Sequence, residues 1–150
     1  MFCIGSFVGR SVEGSARSIE KKYSTAIEKV AKLTRTHIQN HERRSVVYVA
    51  THDCDTALGW WHTLPRRIKR ASGLAGVEPN WELIELALSS RADLAIMQAQ
   101  DVLGLGSEAR MNMPGTSKGN WVWQLRPGQL TTKHAKRLRT LTAASGRLPS

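Results

Sequence analysis

The chain has 150 residues, 41% of them hydrophobic, and a formal charge of +10. That is one ordinary domain's worth of chain, and its brief apolar start, MFCIGSFVGR, is far short of the ~20 residues a membrane span needs. The basic excess lies in residues 1–44 and 126–150, whereas all five tryptophans (60, 61, 81, 121 and 123) lie in the near-neutral middle; a nucleic-acid module interleaves the two, so that partner is not expected.

In chain order, residues 15–36 place Ile19, Tyr23, Ile27, Val30 and Leu33 at steps of three or four, which predicts an amphipathic helix. THIQNHERR follows as a polar connector. The β-branched and aromatic run SVVYVA, residues 45–50, has no polar alternation and predicts a strand covered on both faces, as in a parallel sheet flanked by helices. It ends in the polar cluster THDCDT, which carries His52, Asp53 and Asp55. ALGWWHTLPRRIKRAS then predicts a helix broken at Pro65, because the residue before a proline is disfavoured in helical geometry. Gly73 and Gly76 mark a turn, and EPNWELIELALSSRA predicts a helix that opens at Pro79.

DLAIMQAQD, residues 93–101, predicts a second buried strand that ends in Gln100 and Asp101. GLGSEARMNMPGTSKGN is a long glycine- and proline-marked loop of the kind that carries function. Residues 131–145 predict a final basic helix. Strand, polar cluster, helices, strand, polar cluster, loop and helix form the order of successive β/α units, whose chemistry collects at the carboxyl ends of the strands. His52, Asp53 and Asp55 are therefore expected beside Gln100 and Asp101 on one rim.

Each candidate also has a plainer reading. A His-Asp pair after a strand suits hydrogen bonding as well as catalysis, and Asp55 suits the cap of the next helix. Trp60 and Trp61 suit core and rim packing. A partly exposed tryptophan also stacks on the apolar face of a pyranose ring, which keeps Trp60 as a sugar-binding candidate. Trp121 and Trp123, at alternating spacing, read as structural. The pair Cys3 and Cys54 matches no metal or disulfide spacing, as expected of reduced thiols in a cytoplasmic chain.

Read together, THDCDT with GWW, and QDVLGLGSEARMNMPGTSKGNWVWQL, resemble the C-terminal part of the 4-α-glucanotransferases, also called amylomaltases or disproportionating enzymes, of glycoside hydrolase family 77. The resemblance covers residues of about 40–147. It implies an α/β fold comprising the C-terminal β/α units of an incomplete (β/α)8 TIM barrel with helix-rich flanks. Residues 37–150 would form that part, and residues 1–36 would be an unassigned, helical segment. The family cleaves α-1,4-glucans by a retaining double displacement and passes the glycosyl unit to another sugar. Asp53 matches the transition-state-stabilising aspartate and His52 the histidine that binds sugar hydroxyls. Asn112, Gly115 and Trp60 complete the implied substrate contacts, with Asp55, Gln100, Asp101 and Arg110 shaping the rim.

The nucleophile and acid/base motifs of the family are not found in residues 1–44, and a full barrel needs about 250 residues. A fragment without transferase activity of its own is therefore expected, with α-1,4-glucans and the missing N-terminal part of the barrel as partners. No metal or organic cofactor is implied. Three other readings stand beside it: a non-catalytic glucan-binding remnant, a metal-dependent phosphohydrolase built on His37, His41, His52 and Asp53, and a basic nucleic-acid or interaction module.

Overall fold

The computed structural model describes residues 41–148; the predicted helix of residues 15–36, with Cys3 and His37, lies outside them. The first element is the strand β1 (Val46–Tyr48), in which Val47 is fully buried while Val46 and Tyr48 are half-buried. It pairs in parallel with β2 (Leu94–Ile96), in the register Val46↔Leu94, Val47↔Ala95, Tyr48↔Ile96. Parallel neighbours need a long crossover, and helices supply it here.

The crossover begins with α1 (Ala57–Thr63) and α2 (Arg66–Ala71). Between them Leu64 takes the extended geometry φ −71°, ψ 135° that a following proline imposes. The helix α3 (Pro79–Leu88) opens with its proline in the first turn, where the missing N–H has no partner to lose. Its Glu82 carboxylate reaches back to accept from the N–H groups of Ala75 (2.6 Å) and Val77 (3.1 Å), which closes the turn at Gly76. Leu83, Ile84 and Ala87 are completely buried and pack with Val47, Val49, Trp60, Trp61 and Trp81 into one apolar cluster.

The second predicted strand is corrected in both length and burial. Only Leu94–Ile96 pair as a strand; the chain turns helical at α4 (Ala99–Leu103), so Gln100 and Asp101 are not strand-end residues. Leu94 is 58% and Ile96 40% exposed, because β2 is an edge of a two-stranded sheet whose outer side nothing in the described residues covers.

After α4 a short 3-10 turn (Ser107–Ala109) leads into the long loop, and α5 (Thr132–Ala144) closes the chain. That basic helix docks through Arg137, which donates two bonds of 2.7 Å to Glu78 and lies 4.3 Å over the Trp81 ring. The same ion pair holds the Glu78 carboxyl below its usual range. Beyond it, Arg147 donates to the carbonyls of Leu88 (2.6 Å), Ser90 (2.8 Å) and Ala92 (2.7 Å), satisfying the last carbonyl of α3 and two in the turn that follows it. No helix among the described residues is long and apolar enough to cross a membrane.

Candidate active site

The site grows from the turn that follows β1. Thr51 to Asp55 leave the strand, and Thr56 then caps α1, its side-chain oxygen accepting from the Gly59 N–H at 3.0 Å. The cap is therefore Thr56 and not Asp55, the residue whose position in the sequence suits a cap. Asp55 does a different job: one carboxylate oxygen accepts from the Thr56 N–H (2.8 Å), the other from the Ser107 hydroxyl (2.7 Å). That second bond carries the turn after α4 onto the turn after β1.

Gly59 makes the approach possible. A Cβ there would sit 2.8 Å from the Ser107 backbone nitrogen and 2.6 Å from Asp55 Oδ1, closer than real side chains come. The absence of a side chain on α1 is what lets the two segments touch.

Asp101 is corrected from rim to interior. It is 0% exposed, and its Oδ1 accepts from the Ala57 N–H at 2.7 Å, a bond to the first turn of α1 across 44 residues of sequence. Oδ2 has no hydrogen-bond partner. Burial dominates over the bonds to Ala57 and Gln98 and raises its pKa to about 6. Gln100 is likewise buried and donates to the Ala109 carbonyl at 3.2 Å, so both residues brace the loop from beneath.

Arg110 is the fastener between the segments. It donates from Nε to the Asn112 carbonyl (2.7 Å) and from a terminal nitrogen to the Asp53 carbonyl (2.8 Å). The Asn112 backbone N–H donates to the His52 carbonyl (3.1 Å), and its side-chain amide donates to Asp53 Oδ1 (2.6 Å). The other Asp53 oxygen lies 3.3 Å from His52 Nε2. One carboxylate is thus aimed by two side chains, and both Asp53 and His52 keep about half of their side-chain surface open, at 50% and 56%. Asp55 and Asp101 are buried and committed to protein donors, which leaves Asp53 as the carboxylate of this cluster that faces outward.

Of the residues singled out in the sequence, Asp53, His52, Asn112 and Arg110 come together. Trp60 does not join them: it is 7% exposed and lies in the apolar cluster with Trp61, because on the seven-residue helix α1 the face that packs on α3 must be apolar. Gly115 sits on the exposed loop at φ +84°, with open space where a side chain would point. Trp121, expected from its spacing to be structural, is 58% exposed, its ring 5.2 Å from that of His52. Among the described residues no three His, Cys, Asp or Glu side chains gather in a way that could hold a metal.

The chain has relatives in both sequence and fold. The sequence profile of the family described as 4-alpha-glucanotransferase matches residues 15–131. The chain belongs to that family. The 4-alpha-glucanotransferase of Solanum tuberosum, described as chloroplastic/amyloplastic, is 47% identical over 118 residues, which are 73% of this chain and 20% of the relative. The 4-alpha-glucanotransferase of Thermus thermophilus is 48% identical over 115 residues, 70% of this chain and 23% of the relative. The chain therefore spans about a fifth of the length of the curated relatives it matches. The amylomaltase from Streptococcus agalactiae, solved in complex with acarbose, superposes with a TM-score of 0.73 at 22% identity, covering 92% of this chain and 31% of that one. At that identity the superposition speaks to fold alone. Within the 4-alpha-glucanotransferase family frame, the match begins at residue 15, inside the segment for which the motifs gave no assignment.

Proposed function

We propose that the chain forms the C-terminal β/α units of a (β/α)8 glucanotransferase barrel and supplies one of its three catalytic carboxylates. The parallel pair β1 and β2, joined through helices, suits that placement. Asp53 acts as the transition-state stabiliser and His52 as a donor to sugar hydroxyls. Asn112 aims the carboxylate, Arg110 holds Asn112 in place, and the loop bearing Gly115 borders the sugar.

The supporting observation is the paired hold on Asp53, one oxygen bonded to Asn112 at 2.6 Å and the other facing His52 at 3.3 Å, with half of the side chain open. An oxocarbenium-like transition state develops positive charge at the anomeric carbon, and a fixed carboxylate stabilises it without having to reorient. Bonds to ring hydroxyls strengthen as that charge grows. Neither residues 1–44 nor the site around Asp53 carries the nucleophile and acid/base motifs, so the chain by itself binds α-1,4-glucan without turning it over. A soluble, cytoplasmic setting goes with this reading.

The test has two arms. The purified chain and its Asp53→Asn variant are incubated with maltotriose, and neither releases glucose. The homologous stretch of the Thermus thermophilus relative is then replaced by residues 41–148. The chimera redistributes maltotriose, and Asp53→Asn lowers its rate by about 100-fold or more, the scale of losing one preorganised electrostatic partner. Glucose release by the 150-residue chain alone overturns the division of roles. An active chimera indifferent to Asp53→Asn overturns the assignment of Asp53.

A further inference from the structure

Trp121 has the two marks of a side chain held in place for something outside the core. Its backbone sits at φ 61°, the left-handed region that a bulky residue enters only under constraint. Its side chain is nevertheless 58% exposed, so burial of the indole does not repay that strain.

The constraint comes from the loop base. The Asn120 side chain accepts from the Met113 N–H (2.9 Å) and donates to the Thr116 carbonyl (2.9 Å), closing the loop on itself. The Trp121 N–H then donates to the Met111 carbonyl at 2.6 Å. Met111 adjoins Asn112, whose amide holds Asp53, so the two ends of the loop deliver an amide to the carboxylate and an indole to the histidine beside it. The rings of Trp121 and His52 stand 5.2 Å apart and tilted by 36°, which leaves much of the indole uncovered by its neighbour.

We infer that Trp121 is a stacking platform for a glucosyl ring at the Asp53 site, the part that the sequence offered to Trp60. This rests on the glucan-binding reading above and deepens it. A pyranose presents an apolar face of C–H groups and a rim of hydroxyls. Indole covers the first without needing hydrogen bonds, while His52 and Asp53, next to the platform, take the second. Fixing the indole in advance through the loop base lowers the ordering cost that a mobile side chain would add on binding.

Binding of maltoheptaose to the full 150-residue chain is measured by calorimetry for the wild type, Trp121→Ala, Trp121→Phe and Asp53→Asn, with circular dichroism of each. Trp121→Ala raises the Kd by about tenfold, Trp121→Phe recovers most of the affinity, and both keep the wild-type spectrum. A Trp121→Ala variant that binds within twofold of wild type, while Asp53→Asn binds weakly, removes the platform and leaves the glucan reading standing. A wild-type chain that binds no maltoheptaose at millimolar concentration removes both. Loss of the folded spectrum in Trp121→Ala makes Trp121 a structural residue and overturns the inference.

Discussion

Asp101 is a carboxyl group whose ionisation works against the fold, and Asp101→Asn exposes how much. Its pKa rises from the ordinary 3.8 to about 6, chiefly because the side chain is buried, with Oδ2 unpartnered. Below pH ~4 the group is protonated whether the chain is folded or unfolded, and its contribution is constant. Between pH 4 and 6 the folded state keeps a proton that the unfolded state has released, so stability falls as the pH rises. Above the folded pKa both states are ionised and the full penalty applies, about 3 kcal/mol for a shift of this size. Asparagine retains the acceptor for the Ala57 N–H and carries no charge. Urea unfolding followed by tryptophan fluorescence at pH 4 and 7.5, in wild type and variant, isolates the group by double difference. The wild type should lose about 2–3 kcal/mol more than Asp101→Asn across that interval, a relative midpoint shift of roughly 1–2 M. A double difference under about 1 kcal/mol would show that water or a rearranged partner reaches Oδ2, and the account of Asp101 as a buried charge on the N-terminus of α1 would fail.

Substitutions at two further positions separate the site from the scaffold. Arg110→Ala removes donors to the Asp53 and Asn112 carbonyls and should cost about 1–3 kcal/mol in urea unfolding while weakening maltoheptaose binding. Arg110→Lys should not restore it, because a single ammonium lacks the guanidinium fork that spans both carbonyls. Arg147→Ala frees the carbonyls of Leu88, Ser90 and Ala92; it should lower stability by a similar amount and speed amide exchange at the end of α3, with maltoheptaose affinity unchanged.

Local patterns announced the frame. An uninterrupted β-branched run gave β1, Pro65 broke the helix by holding Leu64 extended, and Pro79 opened the next, each a case where a short-range steric rule decides the conformation. The second apolar run misled because DLAIMQAQD has strand-like and helix-like halves. What settles the switch at Ala99 is a long-range demand, the Asp101 carboxylate bonding to α1, and nothing in QAQD signals it. The burial of Trp60 and the exposure of Trp121 are hidden in the sequence for the same reason. Which tryptophan faces the core depends on which face of α1 meets α3, and on a left-handed backbone set by a loop closed through Asn120. The glycine–proline spacing of that loop pointed to function without showing which side chain it would present.

The family resemblance named Asp53 and His52, but the physics that makes them a pair lies in residues that touch no carboxylate oxygen of Asp53. Asp55 and Ser107 bring the two loops together, Gly59 leaves the space for them, and Arg110 binds the backbone of both. Only then does Asn112 reach Asp53. The carboxylate of Asp53 is held in place by the loop of the following β/α unit, so its geometry belongs to two units at once. That coupling accounts for why the stretch from Thr51 to Trp121 carries its chemistry-bearing residues in two clusters far apart in sequence. It also implies that transplanting the His52–Asp53 turn without the loop from Ser107 to Trp121 would carry over the acid but not its aim.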